Sequence, residues 1–325
     1  MPKSTAISCS NIAFIKYWGN ADPELRIAIN SSLSMNLADL TVTATVEFAP
    51  DFPSDTLTIN GEPVTGGAAE RVFRQMDIIR QKANFSHRAE IATESNFPAG
   101  AGIASSAAAF SALAVAGAAA AGLSLSEAEL SALARRGSGS ACRSVPEGFV
   151  EWQFGGTDET SFGESIAPAD HWDLVDIVAI VSAEHKTVGS TGGHALADTS
   201  VLQAARVASA EKRSIAAKQA VLARDLPALG AVMEEDAVMM HAVMMTSHPP
   251  LFYWQPATIA VIHAVRRWRS GGVPVYFTID AGPNVHLICE RPHADTVESL
   301  VRALPGVQKT LRSGVGGGTR IVKTG

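Results

Sequence analysis

The chain has 325 residues, 46% of them hydrophobic and 18% charged. This composition excludes a disordered chain, a collagen and a small cysteine-stapled scaffold, and the length suits two domains or one large one. With 26 basic against 32 acidic residues the net charge is −6, so the basic excess of a nucleic-acid binder is missing and any anion site must be local.

In chain order, Met1 to Ser10 is polar, with no apolar signal core. Thr41 to Phe48 alternates β-branched with other residues and predicts a strand. Asp55 to Val64 predicts a hairpin turning at Asn60-Gly61, a favoured turn dipeptide. Glu70 to Ala83 has helical spacing through Val72, Phe73, Met76 and Ile79, and Arg88 to Ser95 returns to alternation. Ala107 to Leu123 is almost wholly apolar, but shorter than the ~20 residues that span a bilayer and rich in Ala and Gly. A buried helix is expected there, and no membrane partner.

Asp176 to Val181 predicts a buried strand. Val201 to Arg224 and Leu226 to Met245 predict long helices joined at Asp225-Leu226-Pro227, and Pro256 to Arg269 another with Pro in its first turn. Val275 to Ile279 and Val285 to Cys289 predict strands around a Gly-Pro turn, and Gly314 to Gly318 a turn before a last strand. Met233, Met239, Met240, Met244 and Met245 share one helix, where core packing or a dimer face is expected. The class is α+β in two domains, 1–180 and 181–325. Cys9, Cys142 and Cys289 are odd in number and lack metal-ligand spacing. They read as reduced thiols of a cytoplasmic protein, and the histidines suggest no metal pair.

Four segments carry chemistry. Asn96 to Ala108 combines two glycines and two serines ahead of a helix. This suits a polyphosphate cradle, or merely a tight turn, and it lacks the Gly-Lys-Ser/Thr of a Walker loop. Arg135 to Ser144 holds three arginines and three serines around two glycines. Arg135 and Arg136 fit a helix C-terminus ending at Gly137, whereas Arg143 lies beyond it and suits a carboxylate or phosphate. Asp280 follows an apolar strand and precedes a turn, as an active-site carboxylate or a turn former. Lys16 interrupts an apolar run, as a snorkelling edge residue or a buried functional cation.

Together these segments resemble the ATP-dependent mevalonate-diphosphate decarboxylases of the GHMP small-molecule kinase superfamily. The resemblance rests on Asn11–Gly19, Ile29–Ser34, Asn96–Ala108, Arg135–Ser144, Gly148–Gln153, Gly189-Ser190-Thr191 and Asp280–Asn284. The runs Ser-Gly-Ser-Ala-Cys-Arg-Ser and Asp-Ala-Gly-Pro-Asn mark the decarboxylase branch. The resemblance implies a GHMP-kinase-like fold with the site in a cleft between its domains. It also implies ATP and Mg2+ as cofactors, a phosphorylated mevalonate as substrate, and a homodimer.

By the same resemblance, Asp280 is the base for the tertiary 3-hydroxyl, Lys16 holds it ionised, and Arg143 clamps the substrate carboxylate. Tyr17, Asn20, Arg71, Ser138 and Ser140 would bind the substrate and its 5-phosphate. Asn11, Pro98, Gly100, Gly102, Ala104, Ser105, Ser106, Ser190 and Thr191 would bind ATP, with Ser105 on Mg2+. Diphosphate-acting members read Lys-Tyr-Trp-Gly-Lys, and here the last position is Asn20. Loss of that lysine, also absent from the archaeal-type branch acting on mevalonate 5-phosphate, points to the monophosphate as substrate and isopentenyl phosphate as product in isoprenoid biosynthesis. The alternatives are the diphosphate decarboxylase, a GHMP kinase that stops at phosphorylation, and a catalytically dead ligand-binding relative. Lys16, Arg143 and Asp280 together argue against the last.

Overall fold

Apolar and β-branched residues recur along the first fifteen positions and build a long strand. A computed structural model describes residues 3–97, 105–182 and 188–324, and β1 in it runs Ser4–Ile15. A small hairpin follows, β2 (Asn20–Asp22) and β3 (Ile27–Ala28), and then β4 (Ser32–Ala49). β1 and β4 pair antiparallel from Ser4↔Val46 to Ile15↔Leu33. β4 is longer than the predicted Thr41–Phe48, because its first half is flanked by β1 and β8 (Phe149–Trp152) and needs no exposed polar face.

β5 (Thr56–Ile59) and β6 (Glu62–Pro63) form the predicted hairpin, with Asn60 and Gly61 both at positive φ, 51° and 84°, as its tight turn requires. α1 (Gly67–Ala83) and β7 (Arg88–Ser95) match their predictions, and β9 (Gly163–Ala167) pairs with β8. α2 (Ser105–Ala120) is the apolar segment, buried against β1 and β4. Its small side chains allow the close approach, and its one buried hydroxyl, on Ser111, lies 2.5 Å from that of Ser8. α3 (Glu127–Gly137) starts in a capping box at Ser126 and ends where predicted.

The second half holds β10 (Leu174–Ile180), α4 (Ser190–Leu196), α5 (Gln203–Ala223), α6 (Leu226–Met245) and α7 (Pro256–Ser270). β11 (Tyr276–Thr278), β12 (Val285–Glu290), α8 (Ala294–Arg302), β13 (Lys309–Gly314) and β14 (Arg320–Thr324) complete it. Asp225 caps α6, accepting the Ala228 N–H at 2.9 Å.

Two main sheets result. One has eight strands, with the path β14-β1-β4-β7-β5-β6 and β8–β9 attached to β4; the other has four, ordered β11-β12-β10-β13. The last strand returns to the first sheet, Ser4 opposite Thr324, whereas β10 lies in the second. α5 and α6 bridge the two. Ala217, Val221, Leu229 and Met233 share one core with Ile12, Phe14, Leu33 and Met35. Met233, Met240 and Met244 are buried, so that stripe is largely core. The three cysteines are free and buried, and burial pushes the thiols of Cys142 and Cys289 up to about 12. Among the described residues no helix is long and apolar enough to cross a membrane.

Candidate active site

The site forms where the end of β1 meets the turn after β11. Lys16 follows the last residue of β1, so its side chain is drawn into the protein and is 2% exposed. Its Nζ donates to Asp280 Oδ1 at 2.6 Å and to the Ala13 carbonyl at 2.7 Å. Asp280 itself is 24% exposed. The carboxylate therefore opens outward while its cation stays behind it.

Burial alone would push the Asp280 carboxyl up. The nearby Lys16 charge, with its hydrogen bond, and the Arg143 charge outweigh it and hold the group below the usual carboxylate range. Burial lowers the Lys16 ammonium, partly offset by Asp280 and Asp236. His241 on α6 fixes the turn, its Nε2 donating to the Asp280 carbonyl at 3.1 Å. Burial brings His241 down to about 3, so it stays neutral.

Arg143 lies in the 3-10 turn Gly139–Ser144 and is 2% exposed. It donates to Ser34 Oγ at 3.0 Å, Ser32 Oγ at 2.7 Å and Asn11 Oδ1 at 3.4 Å. All three acceptors are neutral, and among the described residues no carboxylate pairs with it. A buried guanidinium held this way is an anion site in waiting, because its desolvation is offset by an arriving negative charge. Asn11 is buried too. Its amide donates to the Ser140 carbonyl at 3.2 Å and to Ser144 Oγ at 2.8 Å, so it braces the arginine turn.

Tyr17 and Asn20 stand beside each other, the Tyr17 hydroxyl donating to Asn20 Oδ1. Gly139 lets the Tyr17 ring close in, for a Cβ there would come within 2.4 Å of it. Ser138 ends α3, and its hydroxyl lies 3.2 Å from that of Ser106 in the first turn of α2. Ser140 follows two residues on. Arg71 donates from Nε to the Gly137 carbonyl at 2.7 Å, and its guanidinium lies 4.5 Å from the Phe110 ring centroid. Burial brings Arg71 down to about 10, with Arg26 and Arg74 adding to the effect.

The structure thus brings Lys16, Asp280 and Arg143 into one electrostatic unit. It places Asn11, Tyr17, Asn20, Arg71, Ser138, Ser140 and Ser106 around the 3-10 turn that carries Arg143. Ser105 opens α2, whose first turn has no acidic side chain, which suits an anion at that helix end. Ser190 and Thr191 are exposed at the start of α4. Pro98, Gly100, Gly102 and Ala104 lie outside the described residues. Arg135 and Arg136 end α3 and both pair with Asp158 at 2.6 Å, consistent with a structural role.

The sequence reading missed how the turn Lys16–Asn20 is held. The Lys16 N–H donates to Asp236 Oδ2 at 2.7 Å, and the Lys16 carbonyl accepts from Arg206 at 2.7 Å and Asn30 at 2.9 Å. The Trp18 carbonyl accepts from Gln203 at 3.0 Å and Arg206 at 3.2 Å, and the Gly19 N–H donates to His194 Nδ1 at 3.0 Å. Arg213 donates to Asp236 at 2.8 Å. Side chains of α4, α5 and α6 therefore hold a turn that belongs to the first half of the chain. Their only signal in the sequence is a polar residue inside a helical pattern.

The arrangement can accept a proton at Asp280, bind a carboxylate at Arg143 and bind phosphate around Tyr17 and Ser138. A diphosphomevalonate decarboxylase-like N-terminal domain matches residues 8–163, and a mevalonate 5-diphosphate decarboxylase C-terminal domain matches residues 176–318. The phosphomevalonate decarboxylase of Haloferax volcanii is 37% identical over 322 residues, covering 98% of each chain. The crystal structure of mevalonate diphosphate decarboxylase from Staphylococcus aureus superposes with a TM-score of 0.94 at 35% identity, covering 99% of this chain and 98% of that one. MDDEF in complex with MVAPP, AMPPCP and magnesium superposes with a TM-score of 0.93 at 34% identity, covering 99% of both chains.

Proposed function

The chain belongs to the diphosphomevalonate decarboxylase family, and on that premise we propose that it converts mevalonate 5-phosphate and ATP to isopentenyl phosphate, ADP, inorganic phosphate and CO2. The observation that carries this reading is the pairing of an outward carboxylate, Asp280, 2.6 Å from buried Lys16, with the buried and carboxylate-free Arg143.

A tertiary hydroxyl is a weak nucleophile, so a carboxylate already ionised at neutral pH is the base it needs. Asp280 takes the 3-hydroxyl proton as that oxygen bonds to the γ-phosphorus and the bond to ADP breaks. The C–C bond to the substrate carboxylate then breaks, and its electron pair forms the C=C bond. The C–O bond to the new phosphate breaks, releasing inorganic phosphate and CO2. Arg143 orients the carboxylate for that departure, and Lys16 keeps Asp280 charged. Positioning and fixed charge supply most of the rate in such transfers.

ATP phosphates fit the first turn of α2, where Ser105 and Ser106 offer hydroxyls and no acidic side chain opposes them. Among the described residues no group of three or more His, Cys, Asp or Glu could hold a metal. Mg2+ rests on few protein ligands plus phosphate oxygens. Ser105 would hold it there, and it would neutralise charge on the transferring phosphoryl group. Ser190 and Thr191 complete the nucleotide end of this reading. It also includes a homodimer, two domains in each chain (residues 1–180 and 181–325) and a cytoplasmic location, and the three free thiols support the compartment.

Asn20 favours the monophosphate. A neutral amide stands at the Tyr17 hydroxyl, so a second phosphate gains little there. The diphosphate is the second reading, favoured by the solved neighbours, one of them complexed with MVAPP. Steady-state kinetics on both substrates separates them, and a much higher kcat/KM on the diphosphate would overturn the first reading. Asp280→Asn tests the base. Turnover is expected to fall by about 10²- to 10⁴-fold with ATP binding retained, and full activity would contradict the assignment.

A further inference from the structure

The neutral Asn20 sits in a hairpin that carries a cation on its other arm. Asn20 pairs with Ala28 across β2 and β3, and Arg26 stands just before β3 with φ 54°. Arg26 is half-buried, and its Nε donates to the Arg136 carbonyl at 3.2 Å. The next carbonyl, that of Gly137, accepts from Arg71 Nε at 2.7 Å. Successive carbonyls at the negative end of α3 thus hold two guanidiniums by their Nε atoms. Their Nη groups have no carboxylate partner among the described residues. The neighbouring Arg135 and Arg136 already share the carboxylate of Asp158.

Two like charges kept together and half-buried without a counter-ion are costly unless an anion joins them. The place is bordered by Tyr17 and by Ser138, the next residue after Gly137. The influence of Arg26 on the Tyr17 phenol and on the His194 ring fits the same location.

We propose that Arg26 is a specificity-determining residue: with Arg71 it forms a two-guanidinium seat for the 5-phosphate itself, while the neutral Asn20 leaves no cation for a second phosphate. This rests on reading the Tyr17–Ser138 surface as the phosphate end of the substrate site. A phosphate monoester carries about −1.5 to −2 at neutral pH, which two guanidiniums match through paired N–H donors. Arg74, the next basic residue on α1, is exposed and adds its charge to both Arg26 and Arg71.

Steady-state kinetics of Arg26→Gln on mevalonate 5-phosphate, mevalonate 5-diphosphate and ATP tests the seat. KM for the preferred phosphorylated substrate is expected to rise on the order of 10- to 100-fold, as for a lost hydrogen bond to a charged group, with KM for ATP unchanged. Asn20→Lys in the Arg26→Gln background is expected to restore part of the affinity and to move preference toward the diphosphate. Arg26→Lys covers the case in which Arg26→Gln does not fold: it keeps the charge without the planar fork, and an intermediate KM is expected. An unchanged KM for the phosphorylated substrate in either single variant, or an equal rise in KM for ATP, would overturn the proposal. The wild-type ratio of the two substrates tests the substrate assignment separately, because the Arg26 effect is read on whichever one is preferred.

Discussion

The proposed chemistry rests on Asp280, Lys16 and Arg143, and on where the charge of each is kept. Asp280 faces outward, and Lys16 behind it is buried, so the pair cannot relax into solvent. The Asp280 carboxyl is held low, so its charge is present above the ordinary carboxylate range and is lost only as pH falls through the lowered value. The base should therefore be fully available at neutral pH. Lys16→Leu removes the largest of the charges that oppose burial, and the Asp280 pKa should then rise. The expected result is an acid limb of kcat moved to higher pH along with a loss of rate, read from a pH–rate profile. An acid limb at its original pH would show that Lys16 does not tune Asp280. Lys16, Arg143 and Asp280 stood out in the sequence because each breaks a local pattern: a cation in an apolar run, an arginine past a helix stop, a carboxylate at a strand end; their roles came only from the family resemblance. Arg26 did not, since it occupies an ordinary polar turn and gains meaning only from the carbonyls beside it.

At the level of elements, the turn Lys16–Asn20 depends on helices nearly two hundred residues away. Asp236 is fully buried between the Lys16 N–H and Arg213, with no exposure at all. Asp236→Ala leaves a buried guanidinium and a backbone donor unpaired. A loss of about 3–5 kcal/mol is expected, read as a lower Tm with a fall in kcat. A Tm within about a degree of wild type would contradict the role given to this clasp. Local pattern foretold the elements themselves well. Arg88–Ser95 and Leu226–Met245 form over the predicted spans, since period-two and helical spacing are written locally. β8 and β9 escaped notice because they are short and sit inside Gly-rich sequence, and α8 because it has only nine residues. The clasp escaped because a polar residue in a helix ordinarily reads as a solvated face, whereas Arg206 and Asp236 point into the seam between halves.

The whole molecule places a positive site in an acidic protein. The net charge of −6 gives no long-range attraction for ATP or a phosphorylated carboxylate. On the proposed reading the attraction is local, from Lys16, Arg143, Arg26, Arg71 and the amino end of α2. The fold supports it by having α5 and α6 pack across both sheets and by returning β14 to pair with β1. Fold class and family were legible from ordered motifs spanning the chain; the joining of the two halves was not, because it is made by contacts that no local window contains.

The most direct measurement of the central claim is the stoichiometry of products from mevalonate 5-phosphate and ATP in one reaction. ADP, inorganic phosphate and CO2 are expected in equal amounts, since phosphorylation at the Asp280 site commits the carboxylate at Arg143 to leave. ADP formed without CO2 would contradict it and make the protein a kinase.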